Sequence, residues 1–191
     1  MIADKHLELL IELGTREVWH SNRTLYDHLL GTHGLLERWG NPPEVCLLGL
    51  FHSVYGTQTF DTRSVSPDDR ATIQAALASE VERLVYVFGV TNRDEFFEQI
   101  GSERVHLHDQ VHGCELTISP HDLHRLVEVE VANILEQVPH KQRISKGVRR
   151  IYMEQCERAK NCISTNAYQH YRHIFAIYNQ SESSGDGVDA D

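Results

Sequence analysis

The stretch that most constrains the fold is PEVCLLGLFHSV, residues 43–54. It has helical spacing and apolar side chains on nearly every side, and Pro43 suits the first turn of a helix. A helix that is apolar all round must be surrounded by other elements. Because 40% of the 191 residues are hydrophobic, the chain is long and apolar enough to build such a core. We therefore predict one helical domain over residues 1–180 with this helix at its centre.

Two histidines mark this central region. His52 ends the apolar helix, and His28 lies in the middle of the helix before it, 24 residues earlier. A buried imidazole is costly without a partner, and a single one is most often a satisfied core group. Two on consecutive helices indicate a shared ligand. Small neighbours, Gly31 beside His28 and Gly49 beside His52, leave room either for that ligand or for close helix packing.

The rest of the chain predicts an all-α fold of seven or eight helices with one small β-hairpin. Start signals of the Ser-Pro type at Ser66 and Ser119, and stops at glycines, set most boundaries. The predicted helices span residues 3–13, 21–40, 43–54, 66–88, 91–100, 119–138, 148–160 and 164–178. Ser21 or Asn22 is expected to cap the second of them. Residues 103–118 alternate in polarity and predict the hairpin.

Composition excludes several classes of protein. The net charge of −10 argues against nucleic acid as the main partner. No apolar run reaches the roughly 20 residues that span a bilayer, and the first residues do not resemble a signal peptide, so a cytoplasmic protein without membrane contact is expected. The four cysteines show no CxxC spacing and are expected to be reduced. The Ser/Gly/Asp-rich end, residues 181–191, predicts a disordered acidic tail.

The histidine pattern resembles the HD-domain superfamily. A histidine in mid-helix, an apolar helix ending in a second histidine, and Ala132–Asn133 on a later helix are similar to its motifs over about residues 20–138. The resemblance implies an HD-domain-like helical bundle. Many members are metal-dependent phosphohydrolases, and some are di-iron oxygenases. The chain also resembles a group of small bacterial HD-like proteins that share its HSVYGT turn.

Two departures from the HD pattern concern the metal. Ser53 stands where the family has an aspartate after the second histidine, and Asn133 stands where it has the later aspartate. Hard cations prefer carboxylate ligands, so Mn²⁺ and Mg²⁺ are disfavoured here. If a metal binds to His28 and His52, the imidazoles favour Fe, Zn or Ni. The sequence leaves open whether any metal is bound.

The remaining candidate site residues come from the same regions. The turn after His52 supplies hydroxyl and backbone N–H groups, which suit an anion, and a nearby guanidinium would assist. Glu130 lies three residues before Asn133 and therefore on nearly the same helix face, as a substitute acid. The predicted catalytic residues are His28, His52 and Tyr55, and the predicted ligand-binding residues are Arg23, Ser53, Thr57, Glu130 and Asn133.

Two functions fit these residues. In the first, the protein is an HD-like enzyme acting on a small polar or anionic metabolite, with the histidines as general acid and base near neutral pH. In the second, it is a degenerate HD domain that binds a ligand or a partner without catalysis. The sequence does not decide whether the chain forms a homo-oligomer. The sequence also leaves open whether the hairpin histidines, His106, His108 and His112, are polar surface residues or form a metal site.

Overall fold

The structure is a computed structural model that describes residues 2–20, 22–57, 63–140 and 144–183. In this part of the chain nine α-helices are present, together with two short antiparallel hairpins. The helices are α1 (Asp4–Glu12), α2 (Leu25–Arg38), α3 (Pro43–Phe51), α4 (Ala71–Ala76), α5 (Ser79–Val90), α6 (Arg93–Glu98), α7 (Pro120–Gln137), α8 (Lys146–Ala159) and α9 (Thr165–Ser183). The strands are β1 (Trp19–His20), β2 (Arg23–Thr24), β3 (Val105–Asp109) and β4 (Cys114–Ile118).

Helix α3 occupies the centre, as its apolar sequence predicts. It packs against α2, α5 and α7, and Leu48, Leu50 and Phe51 are almost completely buried. One hydrophobic cluster extends from Leu10 on α1 to Phe175 on α9. The prediction of an all-α fold with a small β-hairpin is confirmed.

One predicted helix is two helices in the structure. The stretch expected to be helical from residue 66 to 88 forms α4 and α5, because Leu77 and Ala78 are extended. Ser66 caps only a turn, in which its hydroxyl accepts from the backbone N–H of Asp68. This break accounts for the count of nine helices instead of seven or eight.

The start of α2 also differs from the prediction. Its cap is Thr24, whose hydroxyl accepts from the backbone N–H of Asp27 at 3.1 Å. The residues before it form the β1–β2 hairpin, with Asn22 in the left-handed region at φ 70°. Strand structure is therefore not confined to residues 103–118. This short hairpin places Arg23 directly before α2, next to the predicted site.

The larger hairpin lies where the alternating pattern predicts it. Val105 pairs with Ile118 and Asp109 with Cys114, and Val105 and Leu107 face the core. At the other end of the chain, α9 continues to Ser183, three residues into the predicted tail. Residues 184–191 of that tail lie outside the described residues. No helix among the described residues has the length and hydropathy that crossing a membrane requires.

Candidate functional site

The structure brings His28 and His52 into contact. Their Nε2 atoms lie 3.2 Å apart, and both side chains are fully buried. His28 comes from the middle of α2 and His52 from the end of α3, and these helices pack closely against each other. Gly49 permits this approach, since a Cβ there would overlap the side chain of Leu36 on α2. The small residue beside His52 thus serves close helix packing.

The second nitrogen of each ring has its own partner. His52 Nδ1 lies 2.7 Å from the carbonyl oxygen of Gly49, which can only accept, so the Nδ1–H donates. Neutral His52 therefore carries its lone pair on Nε2, and His28 Nε2–H donates to it. On the other side of His28, Nδ1 lies 2.5 Å from Glu136 Oε2. A continuous path of hydrogen bonds runs from Glu136 through His28 to His52.

Glu136 is the acid of this site, and the sequence analysis did not select it. It lies in the last turn of α7, with its side chain 4% exposed, and forms an ion pair with Arg23 Nη2. Arg23 Nη2 also lies 3.4 Å from His28 Nδ1. On the outer side, Nε2 of His140 is 4.0 Å from Glu136 Oε1. One carboxyl group thus joins a guanidinium and two imidazoles.

Gly31 makes room for this carboxyl group. A Cβ at Gly31 would lie 2.9 Å from Glu136 Cδ and 3.0 Å from its Cγ, closer than carbon atoms pack without displacement. Gly31 is one turn after His28 on α2, so the space it leaves adjoins the imidazole. The small neighbour of His28 therefore admits a protein side chain to the site.

Burial favours the protonated form of Glu136. Removal from water raises the pKa of the Glu136 carboxyl, and the hydrogen bond and charge of Arg23 offset this only in part. A protonated carboxyl can donate its O–H to neutral His28 Nδ1. An ionised one accepts Nδ1–H from a charged His28. In either state a single proton is shared across the 2.5 Å contact.

Tyr55, predicted to be catalytic, belongs to a different cluster. Its hydroxyl donates to Glu82 Oε1 at 2.8 Å, and Arg70 binds both oxygens of Glu82 at 2.7 and 2.6 Å. Burial and the Glu82 contact raise the pKa of Tyr55 far above its usual value. The hydroxyl therefore anchors the turn after α3 to α5.

The structure places the other two turn residues differently. Ser53 is buried directly after His52, and its carbonyl accepts from the N–H of Gly56. Thr57 is half-buried and lines a surface cleft together with Arg63 and Gln110. Ser53 is therefore the chain neighbour of His52, whereas Thr57 lines a cleft at the surface.

Glu130 and Asn133 pair with each other instead of with the histidines. Asn133 Nδ2 donates to Glu130 Oε2 at 2.9 Å and its Oδ1 accepts from Gln137, while Arg93 Nε lies 3.4 Å from Glu130. On α7 Glu136 lies three residues after Asn133, so its side chain is rotated by about 60° from that of Asn133 and by about 120° from that of Glu130, and it enters the space beside Gly31 on α2. The sequence analysis followed this stripe only from Glu130 to Asn133, and Glu136 is the next position along it.

The hairpin histidines lie in two places. His106 Nδ1 is 2.9 Å from Glu115 on the exposed face, where His108 is also exposed. His112 contacts Asp68 at 2.9 Å and the buried Asp109 at 3.0 Å. No His, Cys, Asp or Glu residues within the described ranges form a metal-binding group of three or more.

The distance between the donor atoms of His28 and His52 can be compared with that of two histidines bound to one metal ion. Two imidazoles bound to one tetrahedral ion at about 2.0–2.1 Å place their nitrogens about 3.3–3.4 Å apart, close to the 3.2 Å observed. Both Nδ1 atoms contact a carboxyl or carbonyl oxygen, as in histidines that bind metals. The pair therefore fits two ligands of a His-preferring ion. It offers no carboxylate to a hard cation, because Glu136 lies at Nδ1.

Comparison with known proteins adds one match. Residues 9–93 match the profile of a family described as a domain of unknown function (DUF6817). The matched segment contains His28 and His52 and ends before Glu136. No curated protein and no solved structure matches the chain. The resemblance to the HD superfamily therefore stays a prediction.

Proposed function

We propose that this chain is an HD-like enzyme that acts on a small polar or anionic metabolite, with Glu136, His28 and His52 as its proton-transfer groups. The observation that supports the proposal is the buried path of titratable groups, 2.5 Å from Glu136 to His28 and 3.2 Å from His28 to His52. A carboxyl group whose pKa is raised by burial and which contacts buried imidazoles is characteristic of active sites.

The open end of this path is on the Glu136 side. The Arg23 side chain is 15% exposed and that of His140 is 45% exposed, whereas His28 is fully buried. A metabolite therefore reaches Glu136 first. Arg23 Nε is buried and has no hydrogen-bond partner within the described ranges, so it provides a donor for an anionic oxygen of the substrate.

Proton transfer then follows from the geometry. Glu136 donates its proton to the bound metabolite, or takes one from it, and the Arg23 charge stabilises the carboxylate that remains. The proton of Glu136 can pass to the Nδ1 lone pair of neutral His28, which leaves Glu136 free to take a proton from the metabolite. His28 then passes its Nε2 proton to the Nε2 lone pair of His52, and the reverse steps return the proton to Glu136 for donation. Each step moves one proton between adjacent atoms. The buried histidines thus act as a proton store behind Glu136.

The test is turnover of a panel of small phosphorylated and carboxylated metabolites, followed by NMR of the mixture. The Glu136→Gln, His28→Gln and His52→Gln variants are each expected to lower turnover by about 10²–10⁴-fold. His33→Gln is the matched control, because His33 is also buried on α2, at 5% exposure, one and a half turns from His28. Equal turnover by the His28→Gln and His33→Gln variants would contradict the proposal.

A second candidate function is metal binding, supported by the 3.2 Å between the Nε2 atoms. His28 and His52 would hold Fe, Zn or Ni, and such an ion would supply Lewis acidity at the buried end of the path. Binding must displace the His28 Nε2 proton, so about one proton should be released per ion. Calorimetry with Zn²⁺ or Ni²⁺ in buffers of different ionisation enthalpy measures it. No binding by the wild type, or unchanged binding by His52→Gln, would reject this alternative.

A further inference from the structure

Helix α8 carries a groove whose lining is symmetric in sequence. The groove has a volume of about 450 Å³, and its lining residues recur every three or four positions, so they form one face of the helix. They are Lys146, Arg149, Arg150, Met153, Glu154 and Glu157. The positively charged residues lie in the first half of α8 and the negatively charged ones in the second.

A two-fold rotation that reverses the direction of α8 brings each position of this face onto another position of the same face and exchanges the positive and negative ends. About the midpoint between residues 151 and 152, Lys146 exchanges with Glu157 and Arg149 with Glu154. In the third pair, Met153 exchanges with Arg150, whose methylene groups provide apolar surface. An isologous contact between two identical chains requires this pattern, in which each residue meets the partner's complementary one.

Four of the five charged side chains on this face are accessible for such a contact, and Arg149 is half-buried. Lys146, Arg150, Glu154 and Glu157 are exposed. Arg150 and Glu154 form an intrahelical pair at 3.6 Å with side chains 78% and 69% exposed. Pairs this exposed contribute little to stability and exchange partners readily.

From these observations we infer that the groove face of α8 binds the same face of a second copy of this chain, with the two helices antiparallel. Lys146 of each copy meets Glu157 of the other, and Arg149 meets Glu154. Each ion pair occurs twice across the two-fold axis, around a centre formed by Met153 and the stem of Arg150. The charge order along α8 favours the antiparallel pairing, since a parallel one places like charges together.

The experiment is analytical ultracentrifugation of the full chain with exchanged charges. One variant reverses the positive charges, Lys146→Glu with Arg149→Glu, and the other reverses the negative charges, Glu154→Lys with Glu157→Lys. The wild type is expected to form dimers at micromolar concentration. Each variant alone is expected to associate at least about tenfold more weakly, and an equimolar mixture should restore a dimer with one copy of each.

Two controls separate this contact from general charge effects and from misfolding. Glu8→Lys with Glu12→Lys changes the net charge as much on exposed positions of α1, and it should leave the dimer unchanged. Glu157 accepts from the Tyr168 hydroxyl, so Glu154→Arg alone is tested as well, with circular dichroism to verify folding. A monomeric wild type, dimers of both folded double variants, or a mixture that stays monomeric would overturn the inference.

Discussion

Replacing Gly31 by alanine should move Glu136 out of the site. In a helix interior this change alone stabilises by about 1 kcal/mol. Here the new methyl group would lie 2.9 Å from Glu136 Cδ, and the carboxyl group is fixed by Arg23 and His28. Overpacking costs about 1–3 kcal/mol, and loss of a buried ionic partner costs up to about 3–5 kcal/mol. We expect a net loss of about 1–3 kcal/mol.

Gly34→Ala is the matched control for this prediction. Gly34 is also half-buried on α2, but a Cβ there meets only the flexible end of Arg38, at 3.4 Å. Gly34→Ala should therefore stabilise by up to about 1 kcal/mol, which leaves a difference of about 1–4 kcal/mol between the two variants. Urea denaturation measures both.

A double-mutant cycle tests the cause. In a Glu136→Ala background the obstruction is absent, so Gly31→Ala should become neutral or stabilising, like Gly34→Ala. If Gly31→Ala is as stable as Gly34→Ala in the wild-type background, or if it remains destabilising without Glu136, then the carboxyl group does not fill the space beside Gly31.

Three further predictions concern residues outside the histidine pair. Hydrogen bonds, first to Asp68 and then to Asp109, raise the pKa of His112 above 6.5. The contribution of these bonds to stability should be full below pH 6.5 and lost as the pH rises through the raised pKa. Melting curves of wild type and His112→Gln should therefore converge at alkaline pH. Cys114 is exposed while Cys46 is buried with a pKa raised by burial to about 11; a thiol reagent at pH 8 should therefore modify Cys114 fastest, and Cys114→Ser should remove that phase. Tyr55→Phe should lower stability by about 0.5–1.5 kcal/mol and leave turnover unchanged, whereas loss of turnover would support the prediction that Tyr55 is catalytic.

Much of the fold follows from local signals in the sequence. The apolar pattern of residues 43–54 predicts the central helix, and Ser119, whose hydroxyl accepts from the N–H of Asp122, marks the start of α7. The break between α4 and α5 carries no glycine or proline. The break between the two helices instead coincides with contacts between residues distant in sequence, in which Glu82 on α5 binds both Arg70 and Tyr55. Periodicity within one segment does not contain that information.

The site was predictable as far as its two histidines and Arg23, which pairs with Glu136. The spacing of the histidines on consecutive helices places them together, whereas the acid comes from α7, 108 residues after His28. To choose the acid from the sequence, one would need to know how α7 is oriented about its own axis. Glu130, Asn133 and Glu136 follow one another at three-residue steps, each rotated by about 60° from the one before, so the sequence offered both acids for the same region. The glycine at position 31 was a usable signal, because it marks the point on α2 where a long side chain from another helix enters.

The position of this acid bears on the choice between the two functions. The chain has neither carboxylate of the HD pattern that it is predicted to resemble, and the structure supplies another one, but at Nδ1 of His28 instead of beside the shared Nε2 atoms. A carboxylate there cannot serve as a third ligand to an ion held between the Nε2 atoms. It can only set the protonation of His28. Glu136→Gln therefore discriminates: the amide oxygen can still accept from Nδ1–H of a metal-bound His28, so metal binding should weaken only about 10–100-fold, whereas proton transfer through position 136 should be abolished. A variant that loses turnover while it keeps measurable Zn²⁺ binding would favour the acid–base enzyme.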